Sequence, residues 1–367
     1  MAVKRLTRHT AQRRFLPRRG RGYLSLMNSH EPVIVVGAGP IGLACAISAR
    51  RRGVDPLVID AGAIVNSIVH YPPGMMFFTT PERLEIGNHP IVCGGAKPNR
   101  EEAMMYYRGV VRAEGLRVRT FARLIIAERT GGHVRCVIET ATGREELTCD
   151  RLVLATGYFD NPNTMEVPGE DLPHVRHYFD EAHLSWGLDV VVVGGKNSAV
   201  EAALQLYRAG ARVTLVYRGP AFKPSVKFWL RPDLDNRVKA NEIRTRLGAT
   251  VDSIEPGAMI IRTADGEMER LPADRIYALI GFTPRFDLFR SIGIHLDPVS
   301  ERPALNPETL ETNVPGVYMA GSVVSGRAIS EVFIENGRYD GEKIFGDPAA
   351  RRHAAELYEE SPRPIGE

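Results

Sequence analysis

Apolar residues along the chain fall in short runs that end in glycine and pass into helical spacing, and this pattern occurs twice. The first copy, PVIVVGAGPIGLACAISARRRGVDPLVID, opens with the run Val33–Val36 and breaks at a glycine turn. It continues with Leu43, Ala46 and Ile47 on one helical face and closes with a second run from Pro56 to Ile59. The second copy, LDVVVVGGKNSAVEAALQLYRAGARVTLVYR, repeats the order with Ala199, Ala202, Ala203 and Leu206 on its helix, and Gly194 follows Gly37 by 157 residues. A duplicated strand–turn–helix–strand unit predicts an α/β fold with two dinucleotide-binding, Rossmann-like domains.

Between the copies, residues 62–100 are irregular and rich in proline, glycine and aromatics, too long a connection to lack a role. A helix is predicted over Glu101–Glu114, then strands in LRVRT, ARLIIAER, VRCVIET and EELTCDRLVLAT, with Val134, Cys136 and Ile138 facing one way. A proline-rich connector, Asn161–Pro173, leads to the second copy. Beyond it, the pattern predicts a basic aromatic segment from Arg218 to Arg237, a helix over Val238–Leu247, a strand pair around ATVDSI and AMIIRTADG, and a strand over Arg275–Ile280. GVYMAGSVVSG and a helix from near Ala328 close the fold, and the last eighteen or so residues are expected to fray. The expected division is a basic arm (1–29), a first part of an FAD unit (30–160), an NADPH unit (161–295), the rest of the FAD unit (296–348) and a charged tail (349–367).

The formal charge of +3 conceals an asymmetry. No acid precedes Glu31, whereas Lys4, Arg5, Arg8, Arg13, Arg14, Arg18, Arg19 and Arg21 all lie before it. Without those eight, 39 basic residues face 44 acidic ones, so the body gives no reason to expect nucleic acid as a ligand. RRFLPRRG shares arginines with a twin-arginine export signal but no apolar run follows it; the arm reads as a disordered segment, or Met27 is the true start. No stretch reaches the roughly 18–20 apolar residues of a membrane helix. Four cysteines, Cys45, Cys93, Cys136 and Cys149, form no CxxC and no metal-ligand spacing. That points to a reducing, cytoplasmic compartment, no metal site and no dithiol.

The two glycine turns differ in their chemistry. In the first, Gly37 makes the turn, Gly39 lets backbone approach a pyrophosphate, Gly42 allows close helix packing, and the helix amides form an anion site. Asp60 ends the next strand, 23 residues beyond Gly37, where a carboxylate accepts ribose hydroxyls and repels a 2'-phosphate. The nucleotide expected there is FAD. In the second, GGKNSA puts Gly194 first, Ala199 last and Lys196 where a glycine would stand, with Gly195, Asn197 and Ser198 completing the turn. Arg218 occupies the place of Asp60, and a guanidinium there pairs with a 2'-phosphate, so NADPH is expected, with Lys223 and Arg231 as possible helpers. An Asp-type unit followed by an Arg-type unit implies hydride transfer from a nicotinamide to a flavin. Ala155, Thr156 and Gly157 follow a strand where the chain crosses back near the flavin, and Gly321 and Ser322 in VYMAGS face its pyrophosphate or ribityl chain.

VVGAGPIGLACAI, NSIVHYP, FFTTPERLEIG, KPNREEAMMYYR, LATGYFDNPN, VVGGKNSAVEAAL and FIENGR together resemble the YpdA-type bacillithiol disulfide reductases, thioredoxin-reductase-like flavoproteins without a CxxC. The resemblance spans residues 32–345 and implies FAD, NADPH, a homodimer or homotetramer, and reduction of a small thiol disulfide. It places Lys196 within the group's pattern. It also implies flavin contacts for Pro40 and Ile41, for Asn66, Ser67 and Tyr71, and for Thr79, Thr80 and Lys97, and it puts Glu335 and Arg338 near the flavin. His70 and Tyr71 either stack at the isoalloxazine or order a proline-rich turn. Lys97 and Arg100 offer cations to the flavin or to substrate carboxylates.

One departure from the family is serious. Its best-known members read GxGPCG in the first turn, with a cysteine proposed to attack the substrate disulfide, and here that position is Ile41. Cys45, Cys136 and Cys149 read as core. Cys93, in a glycine-flanked loop, is the one cysteine with a route to the site, and with His70 it completes the candidates for catalysis. Without a cysteine, reduced flavin acts on the disulfide directly, or it passes electrons to a small protein as in ferredoxin or flavodoxin NADP reductases. A catalytically silent dinucleotide-binding protein is a third reading.

Overall fold

The computed structural model describes residues 29–361, so the expectations about the arm before residue 29 lie outside them. The first sheet opens with β1 (Ser29–Val36), α1 (Pro40–Arg51) and β2 (Leu57–Ile59). Two single-turn helices, α2 (Asn66–Val69) and α3 (Pro81–Leu84), punctuate the long connection, followed by α4 (Arg100–Ala113). A capping box sets where α4 begins: the Asn99 side chain accepts from the Glu102 amide at 2.9 Å, and Glu102 accepts from the Asn99 amide at 2.8 Å. Strands β3 (Arg117–Arg119), β4 (Arg123–Thr130), β5 (His133–Thr140) and β6 (Gly143–Leu154) complete this part. The order is β3-β2-β1-β6-β5-β4, parallel from β3 to β6 and antiparallel beyond. Cys136 faces the core with Val134 and Ile138, as the alternation predicts.

The second unit contains β7 (Val175–Arg176), β8 (Asp189–Val193), α5 (Asn197–Arg208), β9 (Arg212–Tyr217), α6 (Arg231–Lys239) and β10 (Ile243–Leu247). An antiparallel flap, β11 (Thr250–Glu255), β12 (Ala258–Arg262) and β13 (Met268–Pro272), precedes β14 (Arg275–Ala278). Its parallel sheet runs β10-β9-β8-β14-β7. The helix expected over 238–247 is a strand in its second half. Pro232 starts α6 early, Asn241 takes a left-handed conformation (φ 58°) that ends it, and Ile243–Leu247 then pair with β9.

The chain returns to the first unit through α7 (Phe286–Ile292), whose Phe286, Leu288, Phe289 and Ile292 are buried against the first sheet. The crossing therefore lies near residues 281–285, ahead of the expected boundary at 295. The two crossing segments pair with each other: Asn163 N donates to Gly281 O and Thr283 N to Asn161 O, both at 3.0 Å. Strand β15 (Val317–Met319) then adds to β6 beyond the reach of β5. The final helices are α8 (Ile334–Gly337), α9 (Asp340–Phe345) and α10 (Pro348–Glu360). The helix expected from Ala328 starts later, where the Phe333 amide donates to Asn336 Oδ1 at 2.8 Å. Of the expected frayed tail, the part beyond residue 361 lies outside the described residues, and the part up to Glu360 belongs to α10, capped by Asp347, which accepts from the Ala350 amide at 2.8 Å. It is tied down by Ala354 in the core and by Lys343 lying 4.3 Å over the Tyr358 ring. Among the described residues no helix is long and apolar enough to cross a membrane.

Candidate functional site

Strand β1 ends at Val36, and the next residues form the floor of a cavity of about 450 Å³ lying between the two nucleotide-type units. Gly37 has φ +113°, and a Cβ there would collide with the Ala155 carbonyl. Only glycine lets β1 and the Ala155–Gly157 turn meet so closely. A Cβ at Gly39, by contrast, would meet nothing within 4 Å. That residue borders open cavity just where α1 begins, and α1 has neither a side-chain cap nor an acid in its first turn. The first amides of α1 are thus available to an anion.

Asp60 lies at the end of β2 with its carboxylate bound on both sides. Oδ2 accepts from the Ala38 amide at 2.6 Å and Oδ1 from the Gly62 amide at 2.7 Å. Burial pushes its pKa up, and the two amides pull it back. Each oxygen keeps a lone pair for a ribose hydroxyl, so its first duty is to hold the glycine turn and its second is open to a ligand. A side recess of about 80 Å³ continues past Asp60 between Arg123, Tyr158, Asp160 and Arg285. The Thr156 hydroxyl is buried on the cavity wall without a hydrogen-bond partner among the described residues. An orphaned donor there, bare helix amides and an open Gly39 are what a bound dinucleotide requires, so these residues fit FAD.

The other expected residues of the first unit divide into two groups. Pro40, Ile41, Gly42, Asn66, Ser67, His70, Tyr71, Gly157, Gly321 and Ser322 line the cavity with those already named. Asn66 is a brace: its amide donates to Asp160 Oδ1 at 2.9 Å and its carbonyl accepts from the Ala63 amide at 3.2 Å. The turn before it is held with Val65 left-handed (φ 51°), its amide bound to Ala38 O at 2.9 Å. Thr79, Thr80, Lys97 and Cys93 do not line the cavity. Thr79 donates to Glu335, which does, and Thr80 precedes α3 and bonds Glu82. Lys97 is used up in loop structure, its ammonium on the Phe78 carbonyl at 2.7 Å. Arg100 likewise caps α2 through the Ile68 and Val69 carbonyls at 3.2 and 2.6 Å.

His70 lies in an aromatic wall that sequence reasoning missed. Its ring stacks on Tyr178 at 4.8 Å, Tyr178 leans on Phe282 at 5.5 Å, and Phe282 stacks on Phe159 at 4.2 Å. Tyr71 meets the Phe159 edge at 5.0 Å. These rings come from both units and both crossing segments. Phe282 sits just past the predicted strand Arg275–Ile280, where no local pattern marks it, and Phe159 lies within LATGYFDNPN, a motif that does not tell which rings it meets.

The far wall of the cavity belongs to the second unit. Asn197, Ser198, Glu201 and Gln205 present the first turns of α5 to it. Asn197 also fastens the basic aromatic segment, with Oδ1 accepting from the Lys227 amide at 2.8 Å and Nδ2 donating to Ser225 O at 3.2 Å. Lys227 thereby reaches the cavity, its ammonium 3.0 Å from the centre of the Phe78 ring of the first unit. Burial lowers its pKa to about 8, with Glu201 opposing the shift. Gly194, Gly195, Lys196, Arg218 and Lys223 lie outside the cavity. Gly194 repeats the turn of Gly37, with φ +146° and a notional Cβ 2.5 Å from Leu279 O. Gly195 faces the Tyr217 ring, 2.5 Å from where its Cβ would be, so that glycine makes room for a tyrosine. Lys196 adopts φ −110°, open to any residue, and is exposed. Arg218 is exposed at the end of β9 with no hydrogen bond or ion pair among the described residues, whereas Arg231 is engaged by Asp235 at 2.8 Å.

No cysteine lines the cavity among the described residues. Cys45 is fully buried and its thiol pKa is pushed well up by burial; Cys136, hydrogen-bonded to Cys149, is also pushed up. Cys93 lies partly exposed with Sγ donating to Gly95 O at 3.1 Å, and, contrary to the expectation from sequence, it is not among the residues lining the cavity. The buried Asp340 is a further residue that sequence reasoning missed. It accepts from the Gly321 amide at 2.7 Å and so joins α9 to the 3-10 turn Gly321–Ser325 over the cavity.

The profile of the pyridine nucleotide-disulphide oxidoreductases matches residues 34–321. The chain is 42% identical over 323 residues to the bacilliredoxin reductase Bdr of Bacillus subtilis, covering 88% of this chain and 99% of that protein. It is similar in structure to the bacillithiol disulfide reductase Bdr (YpdA) of Bacillus cereus, with a TM-score of 0.83 and 40% identity over 89% of this chain and 100% of that one. A more distant relative is a ferredoxin–NADP reductase of Ignicoccus hospitalis, 27% identical over 79% of this chain and 89% of that protein. By fold, paired glycine turns and near-full-length similarity, the chain belongs to the pyridine nucleotide-disulphide oxidoreductases, and within them to the bacillithiol disulfide reductases of the Bdr (YpdA) group.

Proposed function

We propose that the protein is an FAD-dependent, NADPH-using reductase of a small thiol disulfide of the bacillithiol class, acting without a cysteine of its own. One observation carries this reading: a single cavity has the glycine turn of the first unit as its floor and α5 of the second unit as its far wall, with no cysteine between them. FAD, when bound, supplies the relay by which a hydride from NADPH becomes an electron pair for the disulfide. The α1 amides hold its pyrophosphate, Asp60 its ribose, and Thr156 gains there the partner it lacks. Arg218 takes the 2'-phosphate of NADPH. Lys227 presents a positive charge to substrate carboxylates, and the aromatic wall of His70, Tyr178, Phe282 and Phe159 keeps water from the meeting point. A homodimer or homotetramer, as the family resemblance implies, belongs to the same proposal, as does a reducing cytoplasm, with which four unpaired cysteines agree.

The test is anaerobic: protein reduced by NADPH is mixed with bacillithiol disulfide, with ferredoxin and with flavodoxin, and flavin absorbance is followed. Fastest return of the oxidised spectrum with the disulfide supports the proposal. Preference for ferredoxin or flavodoxin establishes the electron-transfer reading, with which a cysteine-free cavity is equally compatible. Failure of NADPH to reduce the flavin leaves a silent nucleotide-binding protein.

A further inference from the structure

At the start of the first sheet, away from the cavity, three side chains of metal-binding type converge from three neighbouring strands. In the β1–β6 pairing His30 lies beside Thr148, and Asp150 follows two residues on, on the same face. In the β5–β6 pairing Val134 lies beside Cys149, which sets His133 across from Asp150. Val134, Leu147 and Cys149, of the opposite parity, are buried, so His30, His133 and Asp150 share the solvent face. Asp150 Oδ1 is 2.9 Å from His133 Nδ1 and 3.3 Å from His30 Nε2, and one ligand atom from each residue lies within 4.8 Å of the others.

We propose that His30, His133 and Asp150 form a binding site for a divalent transition-metal cation of the zinc class. Ligand bonds near 2.0–2.2 Å put neighbouring donor atoms about 3.3 Å apart around a tetrahedral ion and about 2.9 Å apart around an octahedral one. The separations of 2.9 and 3.3 Å fall within the range that donor pairs span around such an ion, and rotations of the imidazoles would bring the third pair, within 4.8 Å, closer. The ring orientation of His30 is already set: Nδ1 lies 3.2 Å from Thr148 Oγ1, which leaves Nε2 to face the carboxylate. Outer partners of this kind direct the free nitrogen of a ligating histidine. The rings of His30 and His133 stand edge to face, 4.7 Å apart at 73°, so they are close without being stacked. Two imidazoles and one carboxylate suit zinc, nickel or copper better than calcium or magnesium, and water completes the shell. His30 stands seven residues before Gly37 along β1, about 20 Å from the glycine turn, so the ion pins β1 to the β5–β6 hairpin without touching the nucleotide sites.

The experiment uses the full-length, untagged flavoprotein and zinc chloride as the probe in titration calorimetry, with cobalt as a spectroscopic substitute. The expected result is one equivalent bound at micromolar or tighter affinity, weakened about tenfold or more in His133→Gln and in Asp150→Asn. Zinc should raise the melting temperature of the parent and not of those variants, while flavin content stays equal in all three. X-ray absorption of the zinc form should show two imidazoles. Retention of the equivalent with unchanged affinity in both variants, or absence of any micromolar site in the parent, overturns the proposal.

Discussion

The terminal methyl of Ile41 lies so close to Gly337 that a Cβ on the glycine would stand 2.6 Å from it. Gly321, on the other side, leaves 2.9 Å in the same sense. At the place where the resemblance puts an attacking thiol, this chain has a branched side chain seated in a niche between two glycines. Gly337→Ala should cost about 1–2 kcal/mol through overpacking, and Ile41→Ala in the same chain should recover most of it. Chemical denaturation of the two single variants and the double variant checks this coupling; additive losses would mean the two sites do not touch.

Arg218 has no hydrogen-bond or ion-pair partner among the described residues, so its substitution is expected to act on ligand. Losing one charge-assisted contact of about 2 kcal/mol should raise the KM for NADPH roughly thirtyfold in Arg218→Ala, with the KM for NADH nearly unchanged. Steady-state kinetics with both nucleotides reads the difference.

Thr156 carries a hydroxyl whose desolvation is unrewarded in the protein alone. Thr156→Val should leave the apoprotein as stable or up to about 1 kcal/mol more stable, and should make the holoprotein lose flavin faster. Melting of the apoprotein and flavin release by dialysis measure opposite signs of one substitution.

Asp340 gives the fold a pH dependence of defined direction. Burial raises its pKa from 3.8 to about 6, against the Gly321 hydrogen bond. A carboxyl raised in the folded state favours folding fully below its unfolded pKa, and that contribution is lost as pH rises through about 6. The loss is about 3 kcal/mol in full, of which about 2 kcal/mol falls between pH 4 and 7. Asp340→Asn keeps an acceptor for the Gly321 amide and cannot ionise, so it should gain stability relative to the parent by that amount over the same interval. Urea unfolding at the two pH values checks it.

How far the sequence revealed this molecule follows from how local each signal is. Both glycine turns, their strands, Asp60 and Arg218 are legible because each is a few residues of fixed spacing with one steric reason. Residues 231–247 were misread because the stop signal was a single asparagine in a left-handed turn and the strand is polar, at a sheet edge. Helix α10 was missed because its order comes from tertiary anchors such as Ala354. The cavity wall was the least legible part: Phe159, Tyr178 and Phe282 meet only through the pairing of two crossing segments more than a hundred residues apart. Lys227 reaches the cavity only because Asn197 fastens its backbone. Cys93 is close in sequence to the lining residues but does not itself line the cavity.

The central claim is reduction of a disulfide without a protein thiol. A variant with Cys45→Ala, Cys93→Ser, Cys136→Ala and Cys149→Ala is loaded with FAD, reduced by NADPH without oxygen and mixed with bacillithiol disulfide while flavin absorbance is recorded. Cys93→Ser alone, at a partly exposed loop position, serves as the variant that does not disturb the core. Reoxidation at the parent's rate in both variants is the predicted result. Loss of disulfide-driven reoxidation in Cys93→Ser, with reduction by NADPH intact, would contradict the claim and make that thiol the nucleophile.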